Sequence, residues 1–251
     1  VIIAAARVGG IFANSNFKSK FIYENLQIQN NLIHGSYLAG VKNLFFLGSS
    51  CIYPKKCKRP IKEKYLLTSS LEKTNDAYAI AKISGLMMCE NYTQNYGLNY
   101  KCLMPTNLYG PNDNYHLQNS HFFPALIRKV YEAKLKKKKY VKVWGSGKPL
   151  RELLYVDDLA DAILFFLNKR IKEPFLNIGS GKEYTINWYV NFLIKELNAK
   201  IKIKFDRTKP DGVKSKLLNI NLAKNYGWKA TTSLKIGLQN TIKDFETKYF
   251  R

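Results

Sequence analysis

Short apolar segments alternate with helical segments through the first part of this chain, and that alternation restricts its fold more than any other feature. Residues 1–6, 41–47 and 101–104 are apolar, and residues 17–39 and 78–96 repeat apolar side chains at three- and four-residue steps. Gly40 and Gly97 follow the two helical segments, where glycine favours a helix end. Apolar strands joined by helices predict a parallel α/β sheet that binds ligands at the carboxyl ends of its strands. Segments 4–10, 48–54 and 105–110 take that position.

The character of the chain changes after Pro111. Four further elements are predicted: a basic helix from Pro124, a strand over 141–144, a helix capped by Asp157 or Asp158 and ending at Leu167, and a strand over 175–178. We therefore predict two interleaved units. A Rossmann-type parallel sheet takes residues 1–111 and about 151–180, and a smaller α/β substrate-binding lobe takes about 112–150 and 181–251.

Composition and charge bear on the partners of the chain. Hydrophobic residues make up 46% of it, yet the longest notable apolar run, 162–167, is far shorter than the ~20 residues that a membrane span requires. Since no signal-peptide pattern is present either, we expect a cytoplasmic protein without a membrane partner. The net charge of +23 is compatible with nucleic-acid binding, but the lysines are spread along the chain with one run at 136–139. We interpret the charge as solvated surface and expect no nucleic-acid partner.

The four cysteines do not indicate a metal centre or a disulfide framework. They have neither a C-x-x-C spacing nor paired histidines, which are the usual signatures of metal sites. The tetrapeptides Gly-Ser-Gly-Lys at 145–148 and 179–182 lack the other residues of a phosphate-binding loop and are predicted to be turns.

Tyr78 and Lys82 form a Y-x-x-x-K pair, and Ser49 lies 29 residues upstream in a Gly-Ser-Ser-Cys turn. A phenol ordinarily loses its proton near pH ~10. A lysine four residues later shares the helical face of the tyrosine, and we expect its ammonium to lower the pKa of Tyr78. The Ser49 hydroxyl would hold a carbonyl oxygen at the same point. Together the three residues predict carbonyl reduction or alcohol oxidation.

Cys51 and His121 have two interpretations each. Cys51 follows Ser49 on the same turn and is either a buried structural cysteine or a reactive thiolate. His121, one of three histidines, is either incidental or the acid partner of Cys51. Removing and returning a proton beside a carbonyl requires two such groups on opposite faces of the carbon.

Three residues further along the chain suit a nucleotide ligand. Trp144 is either core filler or a wall against which a base packs, and Arg151 suits a diphosphate because its planar fork matches phosphate oxygens. Asp211, in the predicted turn 209–212, either accepts hydrogen bonds from sugar hydroxyls or only shapes the turn.

Three stretches resemble the extended short-chain dehydrogenase/reductases: Gly48-Ser49-Ser50-Cys51-Ile52-Tyr53-Pro54, Tyr78-Ala79-Ile80-Ala81-Lys82 and Met104-Pro105-Thr106-Asn107-Leu108-Tyr109-Gly110-Pro111. Residues 4–11, 119–121, 143–147 and 209–212 narrow the resemblance to the branch that acts on GDP-4-keto-6-deoxy-D-mannose. That branch epimerises the sugar at C3 and C5 and then reduces C4. The Cys51–His121 pair discriminates most, since simple epimerases and dehydratases of nucleotide sugars lack it.

The resemblance implies an NADP(H)-dependent enzyme and a role for each matching residue. Tyr78 would donate a proton to the C4 oxygen, Ser49 would bind that oxygen, and Lys82 would hold the cofactor ribose. Cys51 would be the base and His121 the acid of the epimerisations.

The resemblance also implies binding residues and a homodimer. The cofactor would contact Leu47, Gly48, Ser49, Ser50, Lys82, Pro105, Thr106, Asn107, Leu108 and His121. The GDP-sugar would contact Lys129, Trp144, Arg151 and Asp211.

One family feature does not occur in the sequence. No glycine fingerprint follows a strand, so we expect the first βαβ unit, and the residues that choose NADP over NAD, to precede Val1 in a longer protein. Two other functions fit the same residues. One is another extended reductase or 4-epimerase on a nucleotide sugar, and the other is a basic fragment without catalytic activity.

Overall fold

A computed structural model describes residues 1–117, 119–209 and 211–249. The strands are β1 (Ile2–Ile3), β2 (Asn43–Leu47), β3 (Asn99–Pro105), β4 (Asn107–Tyr109), β5 (Tyr140–Trp144), β6 (Leu150–Tyr155), β7 (Phe175–Ile178), β8 (Glu183–Thr185) and β9 (Lys202–Asp206). The helices are α1 (Ile11–Asn16), α2 (Lys18–Leu38), α3 (Asp76–Tyr96), α4 (Phe122–Leu135), α5 (Val156–Leu167), α6 (Ile186–Glu196), α7 (Asn221–Asn225) and α8 (Leu234–Tyr249).

The main sheet has the strand order β1-β2-β3-β7, and all of its pairs are parallel. Successive side chains of β2 point to opposite faces, so that Phe45 and Phe46 belong to different apolar clusters. Because both faces are covered, most of the residues in these strands are buried and apolar. The predicted parallel α/β sheet is confirmed, and its carboxyl edge carries the segments that follow residues 3, 47, 105 and 178.

Helices α2 and α3 cover one face of this sheet. Gly85 allows α3 to approach β2 closely, since a Cβ at that position would lie 2.6 Å from the ring of Phe46. The buried Gln29 side chain of α2 donates a hydrogen bond to the carbonyl oxygen of Ala81 in α3 at 2.6 Å. These contacts fix the helix that carries Tyr78 and Lys82 against the sheet.

Two smaller sheets lie outside the main one. Strands β4, β6 and β8 form a three-stranded sheet, and β5 pairs in parallel with β9. A separate apolar cluster surrounds them, with Tyr115, Phe123, Tyr189 and Phe245 all fully buried. The two turns predicted at 145–148 and 179–182 are confirmed by the left-handed backbone of Gly145, Gly147 and Gly181.

Three local predictions differ from the structure. The first strand is shorter than predicted, and helix α1, which is too short to show a clear apolar period, was not predicted. Helix α5 begins at Val156 with Tyr155 at its N-cap, so neither Asp157 nor Asp158 caps it. Asp158 instead accepts hydrogen bonds from the backbone N–H groups of Thr231 and Thr232, because it is buried against that segment.

Within the described residues, the helices are too short or too polar for any of them to span a membrane.

Candidate active site

The candidate site begins at the tight turn that ends β2. A side chain at Gly48 would overlap the sulfur of Met104, so a larger residue here would have to displace the end of that side chain. Ser49 then caps a short 3₁₀ turn, Ser50–Ile52, and its Oγ accepts the Cys51 backbone N–H at 3.2 Å. The turn therefore presents a hydroxyl and a thiol two residues apart, at the carboxyl edge of the sheet.

Asn177 of β7 holds the segment after this turn in place. Its Oδ1 accepts the Tyr53 hydroxyl at 2.5 Å, and its Nδ2 donates to the carbonyl oxygens of Ile61 and Asn219 at 3.0 and 3.2 Å. Asn177 is completely buried, so each of these bonds replaces one to water. The chain around Cys51 is thus fixed from a neighbouring strand.

Tyr78 lies in the first turn of α3 and contacts the Ser49–Cys51 turn. Burial raises the pKa of Tyr78, a negative charge on Cys51 would raise it further, and a hydrogen bond with the Ser49 side chain lowers it. The expectation that Lys82 brings the pKa of Tyr78 down is therefore wrong for this structure, because desolvation outweighs other effects. The Tyr78 phenol is protonated and available as a hydrogen-bond donor.

Lys82 is one turn further along α3 and is almost completely buried. Its Nζ donates to the carbonyl oxygen of Leu47 at 2.8 Å and lies 4.6 Å from the ring centre of Phe46 and 5.9 Å from that of Tyr78. Burial lowers the pKa of Lys82 to about 8, while a charge on Cys102 would raise it. The shared helical face of Tyr78 and Lys82 predicted from their spacing is confirmed.

Cys51 is partly buried and its sulfur accepts a hydrogen bond from Lys216 Nζ at 3.5 Å. Desolvation lowers the pKa of His121, and the charge of the nearby Lys216 lowers it further. The His121 residue is exposed at the N-cap of α4. Cys51 and His121, which were both predicted from the sequence as site residues, therefore lie near the same ammonium group, that of Lys216.

Gly10 brings the segment before His121 to the edge of the main sheet. The Gly10 N–H donates to the carbonyl oxygen of Asn119 at 3.0 Å, and any side chain at Gly10 would overlap the carbonyl oxygen of Ser120. Glycine at this position thus lets α1 and the start of α4 meet.

Arg151 and Asp211 lie on opposite sides of Gly212. The Arg151 Nη1 donates to the carbonyl oxygens of Leu150 and Val213, both at 2.7 Å, and a Cβ at Gly212 would lie 2.6 Å from Arg151 Nη2. Asp211 accepts the Ser146 N–H at 2.8 Å and its hydroxyl at 2.6 Å, and these bonds lower the pKa of Asp211. Asp211 thus links its own segment to the turn at 145–147, and neither of its two interpretations is decided by these bonds. The preceding Pro210 lies outside the described residues.

A cleft of about 740 Å³ opens beside these residues. Asp211, Gly212 and Val213 line one side, and the basic segment from Lys55 to Arg59 lines another. Such a wall attracts anions through its concentrated positive charge.

Trp144 is 42% exposed at the end of β5, and two ammonium groups flank its ring. Lys129 Nζ lies 4.8 Å and Lys209 Nζ 5.5 Å from the ring centre. Of the two interpretations of Trp144, the exposed wall matches the structure and core filler does not.

The residues expected along the cofactor lie at the ends of β2 and β3. Leu47, Gly48, Ser49 and Ser50 follow one another into the turn, and Pro105 ends β3. Thr106 Oγ1 and Asn107 Nδ2 donate to the backbone oxygen of Glu152 at 3.4 and 3.2 Å, and Leu108 continues into β4.

Sequence reasoning missed Lys216, Asn177 and Glu152. Each is remote in sequence from the turn or strand end that it contacts, and no local motif marks it. The only signal in the sequence that could indicate Lys216 is its basic side chain in the polar segment after Gly212.

Known proteins resemble this chain over most of its length. A family model described as NAD dependent epimerase/dehydratase family matches residues 1–179. GDP-L-fucose synthase 1 of Arabidopsis thaliana is 51% identical over 241 residues, which cover 96% of this chain and 75% of the relative.

Two solved structures have the same fold. A GDP-6-OMe-4-keto-L-xylo-heptose reductase from C. jejuni has a TM-score of 0.92 and 32% identity, with 99% of this chain and 82% of that chain covered. A GDP-L-fucose synthetase from Naegleria fowleri bound to NADP has a TM-score of 0.89 and 31% identity, with 99% and 77% covered. The chain belongs to the NAD dependent epimerase/dehydratase family, and its curated relatives include GDP-L-fucose synthases.

Proposed function

We propose that this protein converts GDP-4-keto-6-deoxy-D-mannose into GDP-L-fucose by epimerising C3 and C5 and then reducing C4 with NADPH. The observation that carries the proposal is the meeting of two acid–base sets at one turn. Ser49 and Tyr78 form a carbonyl-binding set, and Cys51 forms a proton-transfer set with His121. The similarity to a GDP-L-fucose synthase over 96% of the chain supports the same substrate.

The residues at the carboxyl edge of the main sheet fit NADP(H). Lys82 offers an ammonium of which Leu47 takes one hydrogen bond, and a ribose hydroxyl suits the remaining donors. The turn after β2 and the end of β3 lie at the same edge of the sheet and would contribute backbone groups beside the cofactor. When bound there, the cofactor supplies the hydride for C4.

The epimerisations require proton removal from the carbons on either side of the C4 ketone. The Cys51 thiolate would take the proton, and the electron pair of the C–H bond would move onto the C4 oxygen. Hydrogen bonds from Ser49 and Tyr78 would stabilise that oxygen. His121 would then return a proton to the opposite face of the carbon. Both groups regain their starting protonation from solvent, to which His121 is exposed.

The reduction would use Tyr78 as the proton donor. Because the Tyr78 pKa is raised, the phenol keeps its proton until negative charge develops on the C4 oxygen. The Lys82 ammonium, one turn away, would then stabilise the resulting phenolate.

Three features support a GDP-linked substrate. The exposed Trp144 ring offers an aromatic surface for a guanine base, and the Lys129 and Lys209 ammonium groups lie close to the ring. The basic cleft and Arg151 suit the diphosphate. In this proposal residues 1–111 with about 151–180 hold the cofactor and about 112–150 with 181–251 hold the GDP-sugar. Asp211, already bonded to Ser146, would contact the sugar through its outer oxygen lone pairs.

We further propose that the protein is a homodimer through α2 and α3. Apolar side chains on these two helices face outward, with Leu38 at 70%, Tyr96 at 51% and Met87 at 44% exposure. A pair of adjacent helices can pack on the same pair of a second copy about a two-fold axis. Met87→Lys should shift the protein from dimer to monomer in sedimentation equilibrium, and an unchanged mass would refute this interface.

The function is tested by incubation of the protein with the 4-keto sugar nucleotide and NADPH in D₂O. We expect NADPH oxidation and a product that carries solvent deuterium at C3 and C5. Cys51→Ser should abolish deuterium incorporation, whereas Tyr78→Phe should preserve it and abolish NADPH oxidation. If either variant loses both activities while it remains folded, the assigned roles are wrong.

The same assay separates a second candidate. The structural likeness to a GDP-linked heptose reductase favours reduction of a related keto-sugar. NADPH oxidation without deuterium at C3 and C5 in the wild-type protein would support a simple reductase and exclude the epimerase chemistry.

A further inference from the structure

Lys216 belongs to none of the motifs that predicted the site, yet it donates a hydrogen bond to the reactive thiol. Its Nζ lies 3.5 Å from the sulfur of Cys51, which is 165 residues away in sequence. An ammonium at this distance favours a thiolate over a thiol.

The backbone on either side of Lys216 is firmly held. Ser215 is buried, and its hydroxyl donates to the Glu183 carboxylate at 2.7 Å. The Leu217 carbonyl oxygen accepts the Ile61 N–H at 2.8 Å, and the Leu218 N–H donates to Glu152 at 3.0 Å. The short segment 215–218 thus fixes the direction from which Lys216 reaches Cys51.

Three other titratable or charged groups lie near the thiol or near Lys216. Arg151 lies close enough for a charge on Cys51 to raise its pKa, but its guanidinium donates to two backbone oxygens. Tyr78 faces the thiol from α3, and His121 faces Lys216 from the start of α4. Among the described residues no carboxylate lies within 4.0 Å of Lys216, so its charge is not neutralised by an ion pair.

We propose that Lys216 is a positioning residue whose ammonium holds the Cys51 sulfur in place and stabilises the negative charge of the thiolate that acts as the base of the epimerisation. The inference rests on the proposed function in one respect, which is the use of the Cys51 thiolate as a base. The thiolate itself can be measured without substrate or cofactor.

The experiment titrates the thiol in a Cys57→Ser background, since Cys57 is the other partly buried cysteine and Cys89 and Cys102 are buried. Alkylation of Cys51 by iodoacetamide is followed against pH by peptide mass spectrometry. Lys216→Met should raise the midpoint by about one pH unit or more. Lys216→Arg should keep the midpoint near that of the parent protein, because it keeps the charge.

Lys182→Met is the matched control, since Lys182 is exposed on the 179–182 turn and its loss removes the same charge. This control should leave the midpoint unchanged. If Lys216→Met does not fold, as judged by circular dichroism, Lys216→Gln takes its place.

Deuterium incorporation at C3 and C5 provides a second measurement. At neutral pH Lys216→Met should slow it about tenfold, and raising the pH should restore much of the rate as the thiol ionises. A merely structural role would not give recovery at high pH. An unchanged alkylation midpoint overturns the proposal, and if it accompanies a higher KM, Lys216 binds the anionic substrate instead. Wild-type protein without exchange activity would refute the proposed function, while the alkylation result would still decide the role of Lys216.

Discussion

Glu152 makes the stability of this protein depend on pH in a direction opposite to that of a paired surface carboxylate. It is completely buried in β6, where its two oxygens accept the backbone N–H groups of Gly181 at 2.7 Å and Leu218 at 3.0 Å. Burial raises its pKa to about 7, against the lowering effect of these hydrogen bonds. The carboxyl group connects β6 with the turn after β7 and with the segment that carries Lys216.

The sign of the effect follows from proton binding. The ordinary pKa is 4.5, so between pH 4.5 and about 7 the folded protein retains a proton that the unfolded chain has lost. The free energy of unfolding therefore falls as the pH rises through this window and becomes level, for this group, above about 7. A difference of roughly 2.5 pKa units corresponds to a loss of about 3 kcal/mol.

Urea unfolding of the wild-type protein and of Glu152→Gln, at pH values from about 5 to about 8, measures this contribution. Glutamine does not titrate, so the stability of the wild-type protein relative to the variant should fall by about 2.5 kcal/mol across the range. Other groups with raised pKa values, such as Glu63, contribute equally to both proteins and cancel. Parallel stability profiles would refute the assignment of this proton to Glu152.

Three further outcomes are expected. Asn177→Ala should lower the free energy of unfolding by about 3 kcal/mol in chemical denaturation, because a buried hydroxyl and two carbonyl groups lose their partner. Gly85→Ala should cost about 1–3 kcal/mol in the same assay, since the new methyl group would lie 2.6 Å from the ring of Phe46; a neutral result would mean that α3 can move. NADPH oxidation should fall as the pH rises through about 8, where Lys82 loses its proton, and a rate unaffected by this range would exclude a charged Lys82 from the reduction.

The parallel sheet and its long helices could be predicted from sequence because their patterns are local. The apolar strand β2, the periodic helix α2 and the glycine after each helix require no knowledge of distant residues. Helix α1 and the N-cap of α5 could not be predicted in the same way. Helix α1 is too short to show a helical repeat of apolar residues. The N-cap of α5 could not be predicted because the Asp158 carboxylate accepts its hydrogen bonds from a segment far along the chain.

The same distinction between local and distant determinants applies to the candidate site. The spacing of Tyr78 and Lys82 determines their shared face, and the turn after β2 brings Ser49 and Cys51 together within three residues. The pKa of Tyr78 could not be predicted, since it depends on how deeply the folded chain buries the phenol.

The sequence by itself therefore determined the parallel sheet, the edge of that sheet at which the candidate site lies and the spacing of the candidate catalytic residues. Only the tertiary structure decided which distant groups surround them. Lys216 reaches Cys51 across 165 residues, and Glu152 and Asn177 join segments that no local pattern relates. The physical reason is that helical spacing and strand polarity are set by neighbouring residues, whereas burial and electrostatic fields arise only when distant segments pack together.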